Sequence, residues 1–552
     1  MNLSEKKVLI LDDSSVVLST VSGMLAKIGF NDKNILFSQK PKAGVTICRR
    51  DEFDVVICDF NFNQHLNGKQ ILEELLHYEC LKDNSSFILI TGDSTKETFN
   101  SLLEMSIDDY ILKPFNYEIL KERLVKTIKK RQRLQSIYAL KRQNKYEEAV
   151  KVCDELSVKY PAYKMTLNRE KGIFLRLLKR WGEAAEFYKE LYFSCSHDWV
   201  KLGLANALKN SGDLDKARKL VSFVLSQKPD SIDAKKEMAS IEVLTNNIPA
   251  SITQLIDVNK LTRGCSEREL IISNLSIYID DFENSYYYYK RFRDVNQETY
   301  RKSIWLDINY LRRTFQFVSS SHSNSKLKIE LKRCRGMLND LYKTNDDFVK
   351  INLDFLMSHL MMILGNYSEA VVLFQDAYKR AQKTDEFDFY DLVYLSWLFL
   401  HFSYDSYFIS FIPMMENSYF ATISRKSSKN HSESLLESLN LLNLKSIRCH
   451  EEKVEWLQHQ KDAFGSSDKG DLILNYINIS RVYPTLVSIR VNIVRLLSDV
   501  WPCGYGRFQV DSLIQDCDKV IRAFANPIDL KSLSYDALYK SALEAINNSQ
   551  NH

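Results

Sequence analysis

The sequence predicts two folds in one chain: a doubly wound α/β domain over residues 1–128, followed by an all-α helical repeat. Three observations support this prediction. Five short apolar runs alternate with amphipathic segments near the N-terminus, and a helical pattern then recurs with a period of about 34 residues. Glycine and proline are scarce, with 16 and 9 among 552 residues, which favours helices over long irregular segments.

The α/β domain is predicted from apolar runs that alternate with segments of helical spacing. The five runs are residues 8–11, 35–37, 55–58, 87–90 and 110–112. Between the first two, residues 16–28 place Val17, Val21, Leu25 and Ile28 on one stripe of a helix. Strands that alternate with helices form a parallel sheet covered on both faces, so we expect five parallel strands.

Polar residues stand directly after four of these runs. Asp12 and Asp13 follow the first run and Asp59 follows the third. Thr91 follows the fourth run and Lys113 follows the fifth. Ligands of a doubly wound sheet bind outside the carboxyl ends of its strands, so we expect these five side chains to form one site.

The chemistry of this group indicates phosphoryl transfer. Three close carboxylates repel each other, and the oxygen-ligated divalent ion that suits them is Mg²⁺. Asp59, at the end of the central strand, is the best placed nucleophile, and its carboxylate can form an acyl phosphate. Lys113 and the hydroxyl of Thr91 would neutralise the transferring phosphoryl oxygens.

Residues 5–128 resemble the receiver domain of two-component response regulators, which has a flavodoxin-like fold. The resemblance rests on Asp12, Asp13, Asp59, Thr91, Tyr110 and the Lys113-Pro114-Phe115 run, and the spacings from Thr91 and from Tyr110 to Lys113 agree with the family. It implies that Asp59 accepts a phosphoryl group from a histidine kinase, and that Thr91 and Tyr110 act as switch residues. It also implies that Asp13 and Asp59 bind Mg²⁺ directly, that Asp12 acts through water, and that Asn61 offers its backbone carbonyl.

The loop after Asp59 departs from the pattern of the family. The family has a hydrophobic residue and a proline there, followed by glycine at plus eight, whereas this chain reads FNFNQHLNG and places Gly68 at plus nine. The sequence therefore predicts an altered geometry for this loop.

The next part of the chain resembles a tetratricopeptide array over residues 134–300. An apolar residue is followed three positions later by a small one, and this pair recurs with a period of about 34 residues, the length of a tetratricopeptide helix pair. The pairs are Tyr146/Ala149, Trp181/Ala184, Leu214/Ala217, Ile248/Ser251 and Phe282/Ser285. Gly172 stands where the first helix of a repeat needs a small residue, and Pro161 and Pro229 mark the ends of repeats.

A further unit contains Tyr367 and Ala370, but the interval from Phe282 to Tyr367 is not a whole number of repeat lengths. The register is therefore predicted to break within residues 300–350. Residues 424–433 are rich in serine and lysine and are predicted to form a loop. Four domains are predicted: a receiver domain at residues 1–128, a repeat array at 129–300, a helical region with one more repeat-like unit at 301–384, and a helical region of unassigned fold at 385–552.

Composition and motifs argue against several classes of protein. The net charge of +4 is small for 552 residues and gives no indication of nucleic acid binding, and the basic run at 126–133 is interleaved with apolar residues as on a solvated helix face. The most apolar stretch, residues 392–404, is too short to cross a bilayer and is read as a core helix. The ten cysteines show no CxxC spacing, which favours reduced thiols and a cytoplasmic protein without membrane insertion.

These features predict a phosphorylation-controlled interaction protein without enzymatic activity beyond its own phosphoryl chemistry. The combination resembles tetratricopeptide-containing response regulators of the VieB type, which implies a partner such as a kinase or a sibling response regulator in the repeat groove. Two alternatives stay open. One is a transcriptional regulator, and the other is an enzyme with an unrecognised output domain in residues 385–552.

Overall fold

The structure is a computed structural model that describes residues 2–548 except 63–65, 106, 263–265, 322–324, 385, 429–431 and 465–467. The chain divides into two compact units. The first unit comprises residues 1–268 and Asp294–Lys302, and the second comprises Glu269–Arg293 and residues 303–552. No helix in the described ranges is long and apolar enough to span a membrane.

The first unit begins with five parallel strands in the order β2-β1-β3-β4-β5. The strands are β1 (Val8–Leu11), β2 (Ile35–Ser38), β3 (Val55–Asp59), β4 (Ser86–Thr91) and β5 (Asp109–Leu112). The helices between and after them are α1 (Ser15–Ile28), α2 (Pro41–Arg50), α3 (Gly68–His77), α4 (Lys96–Glu104) and α5 (Tyr117–Arg133). The predicted α/β doubly wound domain is confirmed. Strand β3 extends beyond the predicted run because Asp59 still pairs with Ile90 of β4.

Alternate residues of each strand face opposite layers of helices, as the pleat of a strand requires. Val8 and Ile10 of β1 pack in the layer that contains α1 and α5. Leu9 and Leu11 pack in the opposite layer, with apolar residues of α2, α3 and α4. The sheet is therefore covered on both faces, and its polar strand ends are left at one edge.

Helical pairs follow α5 in the same unit. They are formed by α6 (Gln135–Arg142), α7 (Tyr146–Lys159), α8 (Lys164–Leu177), α9 (Trp181–Ser194), α10 (Asp198–Asn210), α11 (Leu214–Gln227), α12 (Ile232–Leu244) and α13 (Ile248–Leu261). The predicted small residues Ala149, Ala184, Ala217 and Ser251 are fully buried, with 0% of their surface exposed. The all-α repeat predicted from the sequence period is therefore confirmed. We call α6–α13 the array.

Gly172 of α8 makes one of the closest helix approaches in the array. A β-carbon at this position would lie 2.3 Å from the Tyr188 hydroxyl oxygen, and one at Gly203 would lie 2.3 Å from the same ring. The ring of Tyr188 is buried and lies against both glycines, so a methyl group added at either position would have to displace it. Gly172 is required by packing, as its position in the repeat predicted.

Gly172→Ala should lower the free energy of unfolding by about 1–3 kcal/mol, because the added methyl group overpacks a clamped ring. Gly182→Ala is the matched control, since a β-carbon there meets nothing within 4 Å in helix α9. The control should be neutral or slightly stabilising. Urea denaturation of both variants measures the difference, and equal stabilities would contradict this packing argument.

The second unit is also helical in its described residues. Its helices are α14 (Ser266–Tyr278) and α15 (Phe282–Asn296), which begin or end in the first unit, then α16 (Ile304–Ser320), α17 (Ser325–Leu341), α18 (Asp347–Ile363), α19 (Tyr367–Ala381), α20 (Phe389–His401), α21 (Asp405–Ser428), α22 (Glu433–Phe464), α23 (Lys469–Val482), α24 (Val487–Leu497), α25 (Arg507–Phe524), α26 (Pro527–Ser532) and α27 (Tyr535–Asn548).

The predicted change of register at 300–350 has a simple cause in helix length. Helices α16, α17 and α18 each have 17 residues, so they are longer than the helices of the array. Successive helix pairs that start at α15, α17 and α19 are therefore spaced more widely than the pairs of the array. This wider spacing accounts for the interval between Phe282 and Tyr367.

One prediction for this unit is wrong in part, and another is confirmed. The predicted loop at 424–433 is wrong in its first half, because α21 continues through Ser428. Residues 429–431 of that prediction lie outside the described residues. The core-helix prediction for residues 392–404 is confirmed as far as His401, where α20 ends, and the side chains of this helix are mostly buried.

Candidate functional site

Asp12, Asp59 and Lys113 meet at the carboxyl edge of the sheet. Lys113 Nζ lies 2.7 Å from Asp12 Oδ2 and 3.0 Å from Asp59 Oδ1. Asp12 is held further by the backbone N–H of Ser14, which donates to its Oδ1 at 2.9 Å. Both aspartates are buried, whereas the lysine side chain is 24% exposed. The convergence expected from the strand ends is therefore observed for these three residues.

Asp13 completes a cluster of three carboxylates with Asp12 and Asp59. One oxygen from each lies within 4.8 Å of the others. A set of carboxylate oxygens at this spacing fits a hard divalent cation. Asn61 lies two residues beyond Asp59 in the chain and is exposed.

Thr91, at the end of β4, is fully buried. The backbone N–H of Asp93 donates to its Oγ1 at 3.1 Å, so the hydroxyl of Thr91 holds the start of the β4–α4 loop. The Asp93 carboxylate in turn accepts bonds from Thr95 N–H at 2.9 Å and from the Thr98 hydroxyl at 2.8 Å. Thr91 is thus linked through a short chain of hydrogen bonds to the first turn of α4.

Tyr110 is half-buried in β5 and faces α4. Its ring packs edge-on against Phe99 with centroids 5.9 Å apart, and the guanidinium of Arg123 lies 5.9 Å from its centroid. A cavity of 280 Å³ adjoins the ring. It is lined by Asp93, Ser94, Lys96, Phe99, Leu102, Tyr110 and Leu112. Thr91 and Tyr110, the two residues with a predicted switch role, therefore both contact the β4–α4 segment. Thr91 ends β4, and Tyr110 packs against Phe99 of α4.

Gly68 shows how the unusual loop after Asp59 is closed. Its N–H donates to the carbonyl of Phe60 at 2.9 Å, and a β-carbon here would lie 2.6 Å from the carbonyl oxygen of Asp59. The glycine at plus nine therefore makes a close approach to the backbone of the phosphoacceptor candidate. The additional residue is accommodated between Phe60 and Gly68, a segment in which 63–65 lie outside the described residues.

The buried position of Asp59 changes its acidity. Burial raises the pKa of Asp59 to about 6, and the opposing effect of Lys113 is smaller. Burial would lower the pKa of Lys113, but its hydrogen bond to Asp12 and the charge of Asp59 raise it overall. The lysine therefore stays protonated at neutral pH, while burial disfavours the charged form of Asp59.

Asp59→Asn should stabilise the Mg²⁺-free protein more at pH 8 than at pH 5. The pKa of Asp59 is raised from 3.8 to about 6 on folding, so its contribution to stability is present at low pH and is lost as the pH rises through about 6. Asparagine removes this loss, and its advantage should grow by about 1 kcal/mol over the range. Urea denaturation at both pH values measures it. A difference that does not change with pH would contradict the assigned pKa.

Sequence reasoning missed a contact within the first unit, between α4 and Arg268. Glu104, the last residue of α4, accepts two hydrogen bonds of 2.8 Å from Arg268, which lies in the first turn of α14. Both side chains are almost fully buried, at 7% and 4% exposure. Burial would raise the pKa of Glu104, but Arg268 and then Lys236 hold it below its usual range.

Helix α4 also contacts the array itself. Lys96 pairs with Asp230 at 2.6 Å, next to the start of α12. Asn100 donates through Nδ2 to the carbonyl of Leu261, the last residue of α13, at 3.1 Å. The contacts of α4 therefore extend along its whole length, from the turn beside Thr91 to Glu104.

Helix α3 makes a second contact that the sequence did not reveal, with the Asp294–Lys302 segment of the first unit. Gln70 Nε2 donates to the carbonyl of Val295 at 2.7 Å, and Glu73 pairs with Arg301 at 2.7 Å. The rings of His77 and Tyr300 stack with centroids 3.7 Å apart. Helices α3 and α4 cover the same side of the sheet, so we call these two helices and their contacts the α3–α4 face.

Fold and site together define the class of α/β signalling domain in which a flavodoxin-like sheet presents an acidic cluster and a lysine. Residues 8–125 match the response regulator receiver domain family. Chemotaxis protein CheY-3 of Vibrio cholerae is 30% identical over 123 residues, which are 22% of this chain and 89% of the relative. The chemotaxis protein CheY homolog of Campylobacter jejuni is 26% identical over 119 residues, or 21% of this chain and 88% of the relative.

A solved response regulator receiver domain protein from Clostridium thermocellum is similar at 25% identity, covering 23% of this chain and 98% of that one with a TM-score of 0.21. Through its N-terminal domain, the chain belongs to the response regulator receiver family of two-component systems. These matches concern about a fifth of the chain.

Proposed function

We propose that Asp59 is the phosphoacceptor. Its phosphorylation controls how the α3–α4 face is held by the array and the helices next to it. This change in turn gates the binding of a protein partner. The observation that carries this proposal is the buried Glu104–Arg268 pair, which ties the helix next to Thr91 to the repeat region. A receiver that acted independently of the repeats would not need such a contact.

The phosphoryl transfer is assigned to the residues at the strand ends. The Asp59 carboxylate attacks the phosphorus of a phosphohistidine on a histidine kinase, forming an acyl phosphate while the bond to the histidine nitrogen breaks. Lys113 Nζ, 3.0 Å from Asp59 Oδ1, is placed to bind a phosphoryl oxygen. Asp12, Asp13, Asp59 and the carbonyl of Asn61 would hold Mg²⁺, which supplies further neutralisation of the phosphoryl charge.

The signal is proposed to leave the site through Thr91. A phosphoryl group brings almost two negative charges and new acceptor oxygens toward the Thr91 hydroxyl. Turning this hydroxyl toward the phosphoryl group releases the N–H of Asp93, whose hydrogen bond it accepts in this structure. The start of α4 then becomes free to shift into the cavity beside Tyr110, and the shift is transmitted along the helix to Glu104 at its other end.

The output is proposed to be protein binding by a tetratricopeptide-like array. Stacked helical pairs form extended surfaces suited to peptide segments and helices. The partner class is a kinase or a sibling response regulator in the cytoplasm, by the resemblance to tetratricopeptide-containing regulators. The array also contacts the receiver on the opposite side of the sheet, because the guanidinium of Arg131 in α5 lies 4.0 Å from the ring of Tyr138 in α6. Within the receiver, Arg131 pairs with Asp108 at 2.5 Å.

A state-dependent pull-down tests this function. Full-length protein treated with beryllofluoride and Mg²⁺, which mimics the acyl phosphate, is compared with the Asp59→Ala variant in extracts of the native cells. A kinase or regulator enriched in only one state is the expected result. Identical partner sets in both states would contradict gating by phosphate, and retention of DNA or a small-molecule product in one state would favour a different output.

A further inference from the structure

Arg313 of α16 is a buried cation for which the described residues supply no counter-charge. Its side chain is only 4% exposed, and its Nε has neither a hydrogen-bond partner nor contact with solvent. Among the residues that the structure describes, its guanidinium forms no ion pair and no hydrogen bond. The nearest ring, that of Tyr289 in α15, has its centroid 5.7 Å from the guanidinium carbon.

In the neighbouring Arg312 of the same helix, both Nη atoms have partners, although its Nε, like that of Arg313, has none. Arg312 donates to Asp391 Oδ1 and to Asn309 Oδ1, each at 2.8 Å, and to Asn352 Oδ1 at 2.7 Å. The buried carboxylate in this part of the unit is therefore already engaged by Arg312. Arg313 adds one uncompensated positive charge beside a like charge, which is costly in a protein interior.

Two tyrosines from other helices, Tyr289 of α15 and Tyr390 of α20, are electrostatic neighbours of the Arg313 guanidinium. Burial lowers the pKa of Arg313 to about 10, although the nearby phenols of Tyr289 and Tyr390 oppose this effect. Asn274 of α14 donates through Nδ2 to the hydroxyls of Tyr390 and of Ser438, each at 3.3 Å, while its Oδ1 is buried without a partner. Arg313 therefore stays charged at neutral pH although it is buried.

We propose that the guanidinium of Arg313 anchors a binding site for one small oxyanion, such as sulfate or phosphate, inside the second unit. A planar guanidinium presents paired N–H donors that match the oxygens of such an anion. The ligand must be small, because only 4% of the Arg313 surface is exposed between helices α15, α16 and α20.

This site is independent of the proposed phosphoryl switch, since it uses residues of the second unit alone. The proposed role of the anion is structural: it completes a charged site that the chain leaves open. The stability of the second unit should then depend on the concentration of the anion.

Equilibrium dialysis of the full-length protein against radiolabelled sulfate tests the site directly, at constant ionic strength maintained with chloride. One sulfate per chain is expected for the wild type, less than about 0.1 for Arg313→Met, and weaker binding for Arg313→Lys, which keeps the charge but loses the paired donors. Arg335→Gln is the control, because Arg335 lies on α17 of the same unit and is exposed. Equal binding by the wild type and Arg313→Met would overturn the proposal.

Thermal unfolding provides a second measurement. The dependence of the melting temperature on sulfate can still be compared when a variant is partly destabilised. Raising sulfate from zero to about 20 mM should increase the melting temperature of the wild type by roughly 3 °C more than that of Arg313→Met, for millimolar affinity. Without sulfate the Met variant should be at least as stable as the wild type, because it removes an unpaired buried charge. A Met variant that is destabilised equally at all sulfate concentrations would show that the arginine is structural and would overturn the anion site.

Discussion

Replacing Asp59 with asparagine is expected to reduce the yield of acyl phosphate by at least about 100-fold, because an amide oxygen is a far weaker nucleophile than a carboxylate. The measurement is incorporation of label from a phosphorylated histidine kinase or from acetyl phosphate, with Mg²⁺ present. Lys113 keeps its 2.7 Å partner Asp12 in this variant, so the site should remain folded.

Asp51→Asn is the matched control for Asp59→Asn. Asp51 is exposed at the end of α2 and makes only a long ion pair of 3.9 Å with Lys7, yet the change in charge is the same. This control should label as the wild type does. Undiminished label in Asp59→Asn, mapped to Asp13 or another residue, would remove Asp59 from the phosphoacceptor role.

Replacing Glu104 with alanine is expected to weaken the attachment of α4 to the repeat region by about 3–5 kcal/mol, because it leaves the buried guanidinium of Arg268 without its carboxylate. Arg268 would retain only its bonds to Thr262 Oγ1 at 2.6 Å and Asn259 Oδ1 at 3.1 Å. The measurement is the amide hydrogen exchange of α4 and α13, together with a double-mutant cycle that combines Glu104→Ala with Arg268→Met.

Lys96→Gln is the matched control on the same helix. Its ion pair with Asp230 is exposed, with 64% and 57% of the two side chains accessible to solvent, so its loss should have little effect on how α4 is held. The variant Glu104→Ala is expected to resemble the phosphorylated state in its partner binding even without phosphate. Equal effects of the two substitutions, or no coupling between Glu104 and Arg268, would show that this pair does not hold the face.

The site could be predicted from sequence because its parts depend on local rules. Each residue follows an apolar run, and the topology of a parallel sheet brings the ends of its strands to one edge. The structure accordingly brings together Asp12, Asp13, Asp59 and Lys113 as expected. The roles of Thr91 and Tyr110 as switches, and of Asn61 as a ligand, stay predictions, because they concern a state with the phosphoryl group and Mg²⁺ bound.

The contacts of the α3–α4 face could not be predicted in the same way. Glu104 and Arg268 are 164 residues apart, and each reads as an ordinary charged residue near the end of a helix. Only the stacking of successive repeats brings them together. Helix length had a similar effect in the second unit, where the long helices α16, α17 and α18 hide the repeat from a search at the period of the array. The functional boundaries at residues 128, 300 and 384 stay predictions.

Hydrogen exchange of the full-length protein with and without beryllofluoride and Mg²⁺ tests the central claim most directly. If Asp59 controls how the α3–α4 face is held, exchange should increase in α3, α4, α13 and the Asp294–Lys302 segment when beryllofluoride is added. Asp59→Asn should show no such increase. Unchanged exchange in these segments of the wild type, under conditions where beryllofluoride demonstrably occupies the site, would contradict the account.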